Sequence, residues 1–149
     1  MSQERQRVVL FGATGTMGLE ALKELWRRRE RYELVLLSRP SEKNRRILAP
    51  YITEARVPGE VRKGRAEGDG LTIVWGDATK YQEVELAVAG ADWVLDAMAY
   101  ISPQADYHPE MARAVNTEGI RHIVRAIEQQ PGGAERIRLV YTGTVAETG

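Results

Sequence analysis

Three short stretches carry residue types whose spacing could do chemistry. The first is Gly12-Ala13-Thr14-Gly15-Thr16-Met17-Gly18, with glycines at three-residue intervals. Glycine lets a chain turn sharply and lets a ligand approach the backbone closely. If such a loop opens a helix, the unpaired amides of the first turn make an anion site. The second stretch is Ser38-Arg39, a hydroxyl beside a guanidinium, with Lys43, Arg45 and Arg46 close behind. The third is a scatter of polar residues in apolar company: Asp77, Asn116 and Thr144.

Elements that would position these residues follow from periodicity. Residues 8–11 form an unbroken apolar run, the mark of a parallel strand buried on both faces. Leu19, Leu22, Leu25 and Trp26 recur at helical spacing after the glycines, giving a helix over 17–29. Strand, glycine turn and helix in that order make a pyrophosphate cradle. Gly12 serves the tight turn, Gly15 the close approach of pyrophosphate, and Gly18 the packing of helix on sheet. The candidate cofactor contacts in this loop are Gly12, Thr14, Gly15, Thr16, Met17 and Gly18.

Further strands are expected at 34–37, 71–75, 93–98 and 137–141, with helices over 41–54, around 84–88 and over 106–129. Residues 57–70, rich in glycine and charge, read as a mobile surface loop. Alternating strands and helices imply an α/β fold of Rossmann type: a doubly wound parallel sheet of about five strands, order 3-2-1-4-5, with helices on both faces. Ser38 and Arg39 then lie at the end of the second strand, where an adenosine ribose belongs. An acid there would bind the ribose hydroxyls of NAD and repel a 2′-phosphate. Arginine instead favours NADP, with NAD second.

The spacing Gly-x-x-Gly-x-x-Gly resembles the nucleotide loop of the extended and atypical short-chain dehydrogenase/reductases, which include NAD(P)-dependent epimerases and dehydratases of nucleotide sugars. The resemblance implies that Asp77 and Ala78 meet the adenine. Read locally, Asp77 is a helix N-cap, and it is the resemblance that tips it to the adenine. It also sets Ala97, Met98 and Ala99 against the cofactor, where strand-end packing is the plain alternative. Asp96 fits less well, since an acid in a buried strand needs a partner. Val115-Asn116-Thr117-Glu118-Gly119 resembles the Val-Asn-x-x-Gly segment whose asparagine joins a catalytic Asn-Ser-Tyr-Lys tetrad. On the helical wheel Asn116 sits within the apolar stripe, so a structural Asn bonding to backbone stays open beside that role. Thr144 aligns with the family's substrate-orienting Ser or Thr, or else caps a turn.

The family's Tyr-x-x-x-Lys pair is absent: none of the 6 tyrosines has a lysine or arginine four residues later. The expectation is one dinucleotide-binding domain over residues 1–149, truncated before its acid–base half and inactive alone. In full length it would act on a hydroxyl or carbonyl substrate as an epimerase, dehydratase or reductase. The rival is a non-catalytic NADP-sensing regulator of the atypical branch. Formal net charge is zero, which gives no bulk pull toward nucleic acid or anionic membrane. With no cysteine there is no disulfide or thiolate metal site, and a cytoplasmic location is expected. No apolar run reaches the ~18 residues of a membrane span. His108 and His122 are too few for a metal site and read as surface residues. The outer strand 137–141 and the long helix predict a homo-oligomer.

Overall fold

The strands β1 (Gln6–Phe11), β2 (Tyr32–Ser38), β4 (Leu71–Trp75), β5 (Trp93–Asp96) and β6 (Arg138–Tyr141) run parallel, and a two-residue β3 (Ala66–Glu67) pairs antiparallel with β4. The sheet order is β3-β4-β2-β1-β5-β6. The computed structural model describes residues 4–98 and 117–141. Its helices are α1 (Thr16–Arg27), α2 (Glu42–Ala55), α3 (Tyr81–Val88), α4 (Gly119–Glu128) and the single turn α5 (Gly133–Arg136). This is the doubly wound α/β arrangement, with one short strand added outside the expected five.

Why the central strands are apolar throughout is visible in their two faces. Val9, Phe11, Val35, Leu37, Val74 and Val94 pack against Val84, Ala87 and Val88 of α3 and Ile123, Ala126 and Ile127 of α4. The alternate residues Val8, Leu10, Leu34, Leu36, Leu71 and Ile73 pack against Leu22 and Trp26 of α1 and Leu48 and Ala55 of α2. Burying each such aliphatic side chain contributes roughly 1.5–3 kcal/mol before chain entropy is counted. Trp26 also donates its indole N–H to Glu54 at 3.0 Å, which ties α1 to α2.

At the amino ends of the strands, polar groups are joined to one another. The Arg7 amide donates to Asp92 at 2.8 Å, and its guanidinium reaches Glu33 at 3.1 Å and the Ala89 carbonyl at 3.2 Å. These bonds staple β1 to β2 and to the turn before β5.

The stretch 57–70 departs from the expected loop. Arg62 and Arg65 exchange backbone hydrogen bonds of 2.9 and 3.0 Å across Lys63 and Gly64, whose φ values are 54° and 81°. Two consecutive positive φ angles make a tight hairpin turn whose twist suits antiparallel strands. It leads into β3, where Ala66 is buried in the core on the α1–α2 face. Val57 at the start of the stretch and Ala66 in β3 anchor it in that core, and most of what lies between them is polar or exposed.

Candidate functional site

At the carboxyl ends of β2, β1, β4 and β5 lies a cleft of about 400 Å³. The β1–α1 loop forms one wall with Gly12 to Gly15, Ser38, Arg39, Ser41 and Asn44 form a second, and Gly76, Asp77, Ala78, Ala97 and Met98 close the rest. The structure thus brings Gly12, Thr14, Gly15, Ser38, Arg39, Asp77, Ala78, Ala97 and Met98 together. Thr16, Met17 and Gly18 are the first three residues of α1, at the lip. Ala99, Asn116 and Thr144 lie outside the described residues.

The loop's shape follows from its glycines. Gly12 has φ +84°, and a Cβ there would sit 2.8 Å from the Ala97 carbonyl and the Met98 nitrogen. A side chain at that position would push β1 away from the end of β5. A Cβ on Gly18 would run into the Gly12 carbonyl oxygen, so Gly18 permits α1 to close on the loop itself, not on the sheet as the sequence suggested. Gly15 is different. Its Cβ would meet only the Gly12 oxygen, at an ordinary 3.5 Å. Nothing among the described residues requires a glycine there, so the space it leaves open is free for a ligand.

The start of α1 is equipped for an anion. Gly15 is its N-cap, no side chain caps it, and its first turn holds no acid. The amides of Thr16, Met17 and Gly18 have no partner within the helix, and the helix dipole adds positive potential. A pyrophosphate fits this cradle. The Gly15 opening and the unpaired amides are the structural grounds for that fit.

On the second wall the β2–α2 turn is held rigid. Ser41, the N-cap of α2, accepts from the Asn44 amide at 3.1 Å. The Asn44 side chain donates to the Arg39 carbonyl at 3.1 Å, and the Ser38 hydroxyl reaches the same oxygen at 3.3 Å. Ser41 and Asn44 were missed in the sequence, although a serine ahead of a helical stretch is a legible cap. The Arg39 side chain remains 44% exposed, 3.8 Å from Asp77. An exposed pair at that distance is a weak tether. Of the cations that follow, Arg45 is engaged elsewhere, with its guanidinium 4.5 Å from the centre of the Trp75 ring.

Asp77 does not cap α3; Lys80 occupies the N-cap. The Asp77 carboxylate instead accepts from both the amide and the hydroxyl of Thr79, each at 2.8 Å, closing an Asx turn. Burial pushes its pKa up, but the Thr79 bonds, Arg39 and Lys80 outweigh that and hold it below the ordinary carboxylate value. Glu83 reaches back from α3 to accept from the Asp77 amide at 3.0 Å. His122, expected at the surface, is half-buried with Nδ1 2.9 Å from the Ala78 carbonyl oxygen.

Asp96 ends β5 beside Phe11 of β1 and Tyr141 of β6. It is only 2% exposed. Its carboxylate accepts from the Met98 amide at 3.0 Å. Burial raises its pKa to about 6 against the lowering effect of that bond.

Comparisons with known proteins agree with this geometry. A thiolation-reductase di-domain from an archaeal non-ribosomal peptide synthetase shares the fold at TM-score 0.70 and 18% identity, over 96% of this chain and 29% of its own. An epimerase from Methanothermobacter thermautotrophicus matches at TM-score 0.68 and 16% identity, over 95% and 36%. The uronate dehydrogenase of Agrobacterium tumefaciens, solved as a mutant complexed with NAD, matches at TM-score 0.56 and 17% identity, over 95% and 42%. The chain thus spans well under half the length of each. No curated protein matches it. The family model described as male sterility protein, an NAD-binding domain, matches residues 10–148, from within β1 almost to the last residue. By that match the chain belongs to the male sterility protein family of NAD-binding domains, within the extended short-chain dehydrogenase/reductase superfamily.

Proposed function

We propose that the chain is the NADP-binding portion of a reductase, dehydrogenase, epimerase or dehydratase that acts on a hydroxyl or carbonyl substrate such as a nucleotide sugar. The observation that carries the cofactor choice is Arg39. It stands at the end of β2, lines the same cleft as the glycine loop, and keeps its guanidinium largely uncommitted. Neither Ser38 nor Arg39, the two residues after Leu37, is an acid; the carboxylate that faces Arg39 is that of Asp77, and its weak 3.8 Å pair is what a 2′-phosphate would have to displace.

In this reading the pyrophosphate lies on the amides of Thr16, Met17 and Gly18, with Gly12, Thr14 and Gly15 lining its path. Asp77 and Ala78 flank the adenine. Ser38 and Arg39 flank the ribose, with Arg39 forked onto the 2′-phosphate. Ala97, Met98 and Ala99 face the nicotinamide end. The bound cofactor supplies hydride transfer, while Asn116 and Thr144 are assigned to the substrate, with Thr144 orienting its oxygen. A solved reductase, an epimerase and a dehydrogenase sharing this fold support the reaction class without choosing within it.

Isothermal calorimetry tests the cofactor preference. A charge-assisted fork is worth about 1.5–3 kcal/mol, so NADP should bind at least ~10-fold more tightly than NAD. Arg39→Asp should narrow or invert that ratio. Tighter binding of NAD by the unaltered chain refutes the proposal.

A further inference from the structure

The turn of residues 76–80 carries three residues that line the cleft, Gly76, Asp77 and Ala78, and three elements hold it. The Gly76 amide donates to the Ser38 carbonyl of β2 at 2.8 Å. Glu83 of α3 accepts from the Asp77 amide. The third hold comes from α4. A Cβ added at Gly119 would stand 3.3 Å from the Met98 side chain and 3.9 Å from the Ala78 side chain, so the helix starts in close contact with both cleft residues. One turn later His122 Nδ1 meets the Ala78 carbonyl oxygen at 2.9 Å, a contact 44 residues apart in sequence. A carbonyl only accepts, so Nδ1 must carry the proton. The imidazole is itself held edge-on to the Tyr81 ring, with centroids 5.8 Å apart. Arg125 covers that same ring at 4.1 Å.

We propose that His122 is a positioning residue for the cofactor cleft: by holding the Ala78 carbonyl it fixes the turn that presents Asp77 and Ala78 to the adenosine. This role rests on the dinucleotide reading of the cleft. It acts through backbone geometry, so it serves NAD and NADP alike and leaves the choice between them to Arg39. A ring without a donor, as in His122→Phe, keeps the volume and the Tyr81 contact but leaves the carbonyl unpaired. His122→Asn restores a donor, because its amide nitrogen is as many bonds from Cα as Nδ1 is.

The test uses the 149-residue chain with both single variants. Calorimetry with NADP and NAD is paired with hydrogen exchange of the 76–80 amides in ligand-free protein and with ¹⁵N spectra of the His122 ring. His122→Phe should weaken both dinucleotides about 3- to 10-fold, the scale of one unpaired polar group, and leave their ratio unchanged. It should also speed exchange across the turn. His122→Asn should restore affinity and protection, and the wild-type ring should show the Nδ1–H form. Wild-type affinity and exchange in His122→Phe would overturn the proposal. So would an Asn variant as weak as the Phe variant, which would point to packing in place of the donor. A wild-type chain that binds neither dinucleotide would overturn the cofactor reading and this role with it, and faster exchange in His122→Phe would then mark a purely structural bond.

Discussion

Asp96→Asn should gain stability relative to wild type as pH rises and remove part of the pH dependence. The wild-type carboxyl is raised from 3.8 to about 6, chiefly by burial, so the folded state holds that proton more tightly than the unfolded chain does. Between those values the folded state binds more protons, and stability therefore falls as pH rises from about 4 to about 6. Above that window the loss is complete and constant. At ~1.36 kcal/mol per pKa unit, the rise from 3.8 to about 6 corresponds to about 3 kcal/mol. Asparagine keeps an oxygen for the Met98 amide, so the bond that favours the carboxylate is not lost in exchange. Urea unfolding of both proteins from pH 4 to pH 7.5 measures this directly. The stability difference, variant minus wild type, should grow by about 2.5 kcal/mol between pH 4 and pH 7.5, whatever its offset at pH 4. A difference that stays constant with pH, or that shrinks, refutes the argument that Asp96 carries its charge at a cost.

Four further outcomes follow from the same structure. Gly18→Ala should destabilise the fold by about 1–3 kcal/mol, because its Cβ displaces the Gly12 carbonyl. Gly15→Ala should leave the melting temperature within about 2 °C of wild type yet cut dinucleotide affinity at least ~10-fold; unchanged affinity would remove the pyrophosphate from this loop. Ser41→Ala should cost about 1 kcal/mol in urea unfolding through loss of the α2 cap, and a smaller cost would mean the Asn44 amide finds another acceptor. Among the described residues β6 is an outer strand, with Val140 44% and Tyr141 45% exposed, and such an edge invites a second copy of the chain. Light scattering should show a dimer or larger assembly, whereas a monomer at every concentration tested would show the edge is protected.

What could be read from the sequence depended on whether a residue's reason was local. Strand cores were legible because burial on both faces leaves no room for polar alternation, as at Val8–Val9–Leu10–Phe11. The glycine loop was legible because its demand for glycine is chemical and falls within seven consecutive residues, Gly12 to Gly18. Even there the neighbour of Gly18 was misjudged, since only the folded loop shows its Cβ site facing the Gly12 oxygen. Asp77 was narrowed to a cap or an adenine contact, while its partner Thr79, two residues away, was overlooked. The Lys63–Gly64 hairpin escaped because a lysine with positive φ is an unusual choice and the segment's buried apolar anchors, Val57 and Ala66, are far apart and show no period.

His122 shows the limit most clearly. Nothing in the residues around it sets it apart, and its meaning depends on α4 crossing to the β4–α3 turn, a fact of tertiary packing. Asp96 is the opposite case: the sequence marked it as a misfit in a buried strand, and the structure shows its carboxyl buried at the end of β5, one residue before the cleft-lining Ala97. The two ends of the sheet explain why both matter. At the amino ends Arg7 bonds to both Glu33 and Asp92, and these contacts hold the strands together. At the carboxyl ends the α1 amides are uncapped, Arg39 is half-free and Asp96 holds a costly charge. Stability is given up at the end where a ligand can restore it, so saturating NADP should raise the melting temperature of the wild type. Gly15→Ala, with its fold intact but its cradle filled, should lose most of that increase.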